Sequence, residues 1–320
     1  MKRLLTAVLG ICITTAAALA AGPAARPSLT EALANLKTPP PWFESVTVHW
    51  DMNKPWKDGR LEVRRLLALD EASVREAVKI TWLYAQKGDI GNGHELPMYL
   101  FMSGNYAWAI VEYPKHLQAV KGEGATHAYL CLASCYAHFG EWAKALAVID
   151  QAAVDLPAPP WRIRSQATIH TLRGDIYADM GEVEKAKSEY AEAIRLLPTS
   201  NQPYGRQLLP REVAKIRTKL DLLTFSSLAS AKLRDGTYIG RAPAYAEAKD
   251  MEAKLTIRSG KITDIQLTHQ EKIELNATKI IPQQIIAKQS LKVDVVTGAT
   301  VTSQAIIDAA YQALKKAGLK

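Results

Sequence analysis

The chain has 320 residues, of which 48% are hydrophobic and 22% charged, with a formal net charge of +8. That is enough apolar material for two ordinary cores, and it excludes global disorder. Three cysteines are too few for a four-cysteine cluster, and although residues 226–320 carry fourteen Lys/Arg against nine Asp/Glu, no Lys/Arg block marks a lipid-binding patch.

The first twenty residues have the three parts of a secretory signal: Lys2 and Arg3, an uncharged run from Leu4 to Ala18, and Ala18-Leu19-Ala20 as a small-x-small cleavage site. Cleavage and export to a periplasmic or otherwise extracytoplasmic space are expected. An uncleaved anchor is the alternative, against which the second half of the run is mostly Ala and Thr. Export sets nucleic acid aside and favours a protein or phosphate partner for the positive surplus. Residues 21–60 are rich in Pro and aromatic side chains, with Pro39-Pro40-Pro41-Trp42-Phe43, Trp50 and Trp56. They predict an extended segment lying on a domain surface.

From 61 to 223 the apolar spacing is helical, and the stretch repeats internally. Ala133, Tyr136, Gly140, Ala145, Ile149, Ala152 and Pro157 recur as Gly174, Tyr177, Gly181, Ala186, Tyr190, Ala193 and Pro198, at a constant offset of 41 residues. This order of small, aromatic and glycine positions resembles the tetratricopeptide repeat. The excess over the usual period is assigned to Pro157-Ala158-Pro159-Pro160, and a degenerate third unit is expected around Gly104, Tyr106 and Ala109. Such an array leaves a concave face for a protein partner; a structural spacer is the plainer reading. Cys131 and Cys135, one helical turn apart, are poorly set for a disulfide and lack the spacing for haem attachment or zinc, so two buried thiols are expected.

Residues 224–320 change character. Asp235-Gly236-Thr237-Tyr238-Ile239-Gly240 is a turn entering a strand, and Met251, Ala253, Leu255 and Ile257 alternate with polar residues. Ser259-Gly260 closes a hairpin whose return strand has Ile262 out of phase with Ile265 and Leu267, which predicts a bulge. Pro282 is expected to begin a helix ending near Gln289. A last helix is expected from Gln304 to Ala317, capped by Ser303 and ended by Gly318. The fold class is thus multidomain: all-α tetratricopeptide-like repeats followed by a small α+β domain.

Asp235-Gly236-Thr237-Tyr238-x-Gly240 with Tyr245, the hairpin through Gly260-Lys261-Ile262-Thr263-Asp264-Ile265, and Asp294-x-x-Thr297-Gly298-Ala299-Thr300-x-Thr302-Ser303 together resemble the FMN-binding domain. This is the domain found in flavoprotein subunits of the sodium-pumping NADH:quinone oxidoreductase and the Rnf complex. The resemblance implies that a flavin transferase of the ApbE type esterifies FMN to Thr300, and that Asp294 serves recognition by that enzyme; on chemistry alone Asp294 is a turn-capping residue. A Thr hydroxyl is a poor nucleophile unaided, which fits a separate enzyme acting on an ordered, exposed segment with Gly298 and Ala299 keeping the approach open. The phosphodiester would sit before a helix start, with Thr297, Thr302 and Ser303 as hydroxyl donors. Glu271 retains an acidic position seen in relatives and Lys272 departs from their usual Thr; Lys272 is read either as a cation near the flavin, where it would stabilise the reduced form, or as a solvated lysine. Tyr238 is read either as covering the flavin ring or as packing the sheet.

No nucleotide-binding G-x-G-x-x-G and no haem motif accompanies this site. The expected function is an exported electron carrier rather than a self-sufficient enzyme, with the repeats docking a membrane flavoprotein or a cytochrome. Membrane association would then come through partners. A repeat-based scaffold or assembly factor, or a flavin-dependent reductase of a small substrate, are the alternatives.

Overall fold

The computed structural model describes residues 27–319 apart from 68, 91–92, 224–227, 229–231, 245–248, 272–273, 294, 297–298 and the side chain of Thr300. The signal expected at residues 1–20 therefore lies outside the described residues. Ten helices come first: α1 Leu29–Ala34, α2 Trp56–Leu66, α3 Glu71–Gln86, α4 Glu95–Met102, α5 Tyr106–Ala119, α6 Thr126–His138, α7 Trp142–Val154, α8 Arg162–Asp179, α9 Val183–Leu196 and α10 Leu209–Leu223. Among the described residues, no helix is long and apolar enough to cross a membrane.

The pairs α4/α5, α6/α7 and α8/α9 turn in one way. Gly104, Gly140 and Gly181 each take a left-handed backbone, with φ of 77°, 72° and 77°. Each glycine N–H donates to the carbonyl three residues back, while the next residue reaches five back: Asn105 to Leu100, Glu141 to Tyr136, Glu182 to Tyr177. Carbonyls orphaned at the helix end are thereby satisfied, and a side chain at the glycine would strain the turn. The following helix then starts from the same φ of −81° in all three, with ψ of 55°, 58° and 63°. The recurring small residues are the contact points between paired helices. Ala133, Ala145, Ala186 and Ala193 are fully buried, and a Cβ on Gly174 would stand 2.6 Å from the Tyr190 ring. Cys131 and Cys135 are buried free thiols.

The described part of this segment, residues 27–60, differs from the expected extended segment. Ser28 and Glu31 form a reciprocal capping box that starts α1, and Leu29 and Phe43 are core residues of the helical region. Lys79 Nζ donates to the carbonyls of Phe43 and Val46, Trp50 Nε1 donates to the Tyr84 hydroxyl, and Trp56 already begins α2. The aromatic residues that suggested an exposed strap are the ones that anchor the segment.

The C-terminal part is α+β: β1 Gly236–Ala242, β2 Met251–Arg258, β3 Lys261–Thr268, α11 Ala277–Lys288 and α12 Thr300–Ala317. The strands form one antiparallel sheet in the order β1-β2-β3. Ser259 and Gly260, both at positive φ, make the tight β2–β3 turn. The register shifts where Thr256 faces Asp264 but Ile257 faces Ile262. That bulge turns Ile262 inward beside Ile265, as the broken alternation predicts. Gln289 patches the disturbed edge, its side-chain amide accepting from Ile262 N and donating to Ile262 O.

Both terminal helices start earlier than expected. α11 begins at Ala277 after Asn276, so Pro282 lies inside it rather than at its first position. α12 begins at Thr300 after Ala299, so Ser303 is in its first turn and does not cap it. Its end at Gly318, φ 105°, is as expected. α12 lies along β1 so closely that a Cβ on Gly240 would come within 2.0 Å of Ala309 O and 2.4 Å of Ala313 N. Only glycine permits that approach.

Candidate functional site

The described residues of the Asp294–Ser303 segment are held by two hydroxyls. Ser303 Oγ accepts the N–H of Val296 at 3.0 Å and donates to Ala299 O at 2.9 Å. Ala299 N closes a turn onto Val296 O at 3.0 Å, with positions 297 and 298 between them. One fully buried hydroxyl thus folds the loop back onto the helix it precedes. Thr302, 1% exposed, donates from Oγ1 to Glu271 Oε2 at 2.5 Å and joins the end of the β3 connection to the same helical turn.

Thr300 is the first residue of α12, where backbone N–H groups have no intrahelical acceptor. Among the described residues no side chain caps this end, and no acidic residue stands in its first turn. The helix dipole there favours an anion. Val295 and Val301, 41% and 45% exposed, give the segment an apolar rim.

Of the residues singled out from the sequence, the structure brings Ala299, Thr300, Thr302, Ser303 and Glu271 together. Thr302 and Ser303 have their hydroxyls engaged within the protein, where they build the loop. Asp294, Thr297, Gly298, Lys272 and Tyr245 lie outside the described residues. Tyr238 does not belong to this end of the molecule. Its hydroxyl donates to Asp235 O, and neighbouring Arg234 N bonds Ala317 O at the far end of α12, a helix about 27 Å long by its 18 residues. Tyr238 packs against the core of the sheet.

At the far end Asp235 braces the β2–β3 turn, and at the seam of α10 and α12 sequence reasoning missed two residues, Asp308 and Lys215. Asp235 accepts the N–H groups of Ser259 and Gly260 at 2.8 and 2.9 Å, which hold its carboxyl below the usual range. Asp308 and Lys215 meet where α10 packs on α12. Burial pushes Asp308 up to about 6 and Lys215 down. Asp235 was legible as a turn residue; Asp308, inside an otherwise apolar helical face, gave a signal only as a lone charge in a run of Ala and Ile.

Among the described residues, no group of three or more His, Cys, Asp or Glu is arranged to hold a metal ion. Residues 248–315 match the FMN-binding domain family. A 72-residue stretch is 39% identical to the NADH:acrylate oxidoreductase of Vibrio harveyi, covering 22% of this chain and 7% of that protein. No solved structure matches significantly.

Proposed function

From the premise that residues 248–315 form an FMN-binding domain, we propose that this protein is an exported carrier that holds FMN covalently through its phosphate on Thr300 and passes electrons between partners. The observation that carries the reading is the start of α12 at Thr300, directly after the motif, with no acidic side chain in its first turn. A phosphate ester on that hydroxyl meets unpaired N–H groups and the positive end of the dipole. The residues fit the cofactor in a second respect: the exposed Val295 and Val301 offer apolar surface beside the attachment point. When bound, FMN supplies one- and two-electron chemistry.

The chain's own residues do the positioning. Ser303 presents the loop, Thr302 and Glu271 tie it to the sheet, and Gly240 lets the sheet seat against α12. A flavin transferase of the ApbE type performs the attachment in this reading, since a Thr hydroxyl is a poor nucleophile unaided. The three like helix pairs form a tetratricopeptide-type array that docks the redox partner, a membrane flavoprotein or a cytochrome, on the extracytoplasmic side. The 39% identity to a stretch of an oxidoreductase named for NADH and acrylate supports redox work.

Co-expression with the transferase tests this. The purified protein gains one FMN-sized mass increment and a yellow colour that survives denaturation. Thr300→Val does not. Equal gain by the Val variant, or none by the parent, removes the covalent reading.

A further inference from the structure

The seam between α10 and α12 holds titratable groups that the carrier role leaves unused. Asp308, two turns along α12 from Thr300, is 1% exposed. Its Oδ1 accepts from Gln304 Nε2 at 2.8 Å, while Oδ2 has no hydrogen-bond partner among the described residues. α10 faces it with Lys215 and Lys219. Lys219 is committed to Asp175 at 2.7 Å, and Arg211, one turn before Lys215, to Asp250 at 2.9 Å.

Lys215 is half-buried and lies within electrostatic reach of both Asp308 and Glu271. Glu271 in turn holds Thr302, so the cluster runs from the first turn of α12 to its third. Farther along the seam the Tyr311 hydroxyl reaches Asp221. The sheet and α11 meet α12 through apolar groups, among them Ala305, Ile306, Ala309 and Ile281.

A buried carboxylate with one unsatisfied oxygen is costly, and a proton removes the charge that makes it so. Burial without full hydrogen bonding has already moved this carboxyl to about 6, against the pull of two lysines. An added negative charge along the same helix moves it further up. Lys215, half-buried and within electrostatic reach of the carboxyl, sets how readily it takes that proton.

We propose that Asp308 is the proton-accepting residue of this flavoprotein: when the cofactor on Thr300 gains negative charge on reduction, the Asp308 carboxylate takes one proton from water and becomes a neutral acid. The proton adds to Oδ2, no bond within the protein breaks, and no electron passes through Asp308. The electrons come from the donor, an electrode in the test below, and stay on the cofactor. The proposal rests on the Thr300 reading.

The experiment uses full-length protein whose flavin has been verified by mass. Electrochemical reduction in weakly buffered solution, with a pH indicator, counts protons taken up per flavin from about pH 5.5 to 8. Wild type takes up more than Asp308→Asn, by up to about one proton, with the largest difference above pH 6; Lys215→Met shifts the pH of that maximum upward. Equal uptake by wild type and Asp308→Asn overturns the proposal. Should Asp308→Asn fail to fold, the carbon resonance of the wild-type Asp308 carboxyl decides: it titrates near pH 6 when oxidised and higher when reduced, and an unmoved midpoint overturns the proposal. Absence of the flavin mass defeats the Thr300 reading instead. The carboxyl titration of the flavin-free protein then still speaks, and a midpoint below pH 5 removes the basis for Asp308.

Discussion

Thr302 Oγ1 stands 2.5 Å from Glu271 Oε2, so a side chain of the β3–α11 connection hangs on the first turn of α12. Replacing Thr302 by Val keeps the shape and removes the donor from a site that is 1% exposed. The expected cost is about 1–3 kcal/mol, with Ser recovering most of it. Thermal unfolding reads the difference. Val and wild type unfolding together would mean the bond carries no stability.

Gly240→Ala brings a methyl group to 2.0 Å from Ala309 O, and backbone on both sides has little room to move. β1 and α12 must separate, at an expected cost of about 3 kcal/mol or more, in the range of overpacked cores. Denaturant titration of the variant measures it. A loss under ~1 kcal/mol would show the sheet and helix free to slide.

Asp235 gives a pH signature at the acid end. Its folded carboxyl is held below the ordinary value of 3.8 by the Gly260 and Ser259 N–H groups. A lowered carboxyl contributes stability above the unfolded value, and that contribution fades as pH falls through the lower folded value. Wild type therefore exceeds Asp235→Asn in stability at pH 5–7, and the two converge as pH falls below 3.8. Parallel curves down to pH 2 would contradict this.

Asp308 carries the opposite sign. Its carboxyl is raised from 3.8 to about 6 by burial, so the protonated form favours folding. That stability is complete below about pH 4 and is lost as pH climbs through 6. Asp308→Asn, which keeps the shape and drops the charge, is expected to be roughly 1–3 kcal/mol more stable than wild type at pH 7 and about equal at pH 4. Chemical denaturation at the two pH values checks it.

The repeat was legible because the same packing problem is solved at each pair: the glycines that end α4, α6 and α8 are forced by positive φ, and the small residues by close helix contact. The bulge was legible because Ile262 broke a period of two that burial enforces. Helix starts were not. Ser303 had the chemistry of a cap, but its hydroxyl was recruited one turn deeper to hold Val296, and local sequence cannot tell those uses apart. Pro282 suggested a first turn, yet burial of Ala277 and Ile281 together with Ile285 pulled the helix start before it. The aromatic residues of 21–60 misled because polarity and Pro content spoke for a strap while their large apolar surfaces were being buried. Asp308 and Lys215, from helices far apart in sequence, acquire meaning only when α10 lands on α12.

The bond from Arg234 N to Ala317 O brings the two ends of the C-terminal domain side by side. A unit whose entrance and exit adjoin can be spliced into an exposed loop of an unrelated host without stretching either structure. Its own termini can equally be fused and reopened at Ser259-Gly260, giving a permuted version. Adjacent entrance and exit are the geometry that insertion and permutation both require.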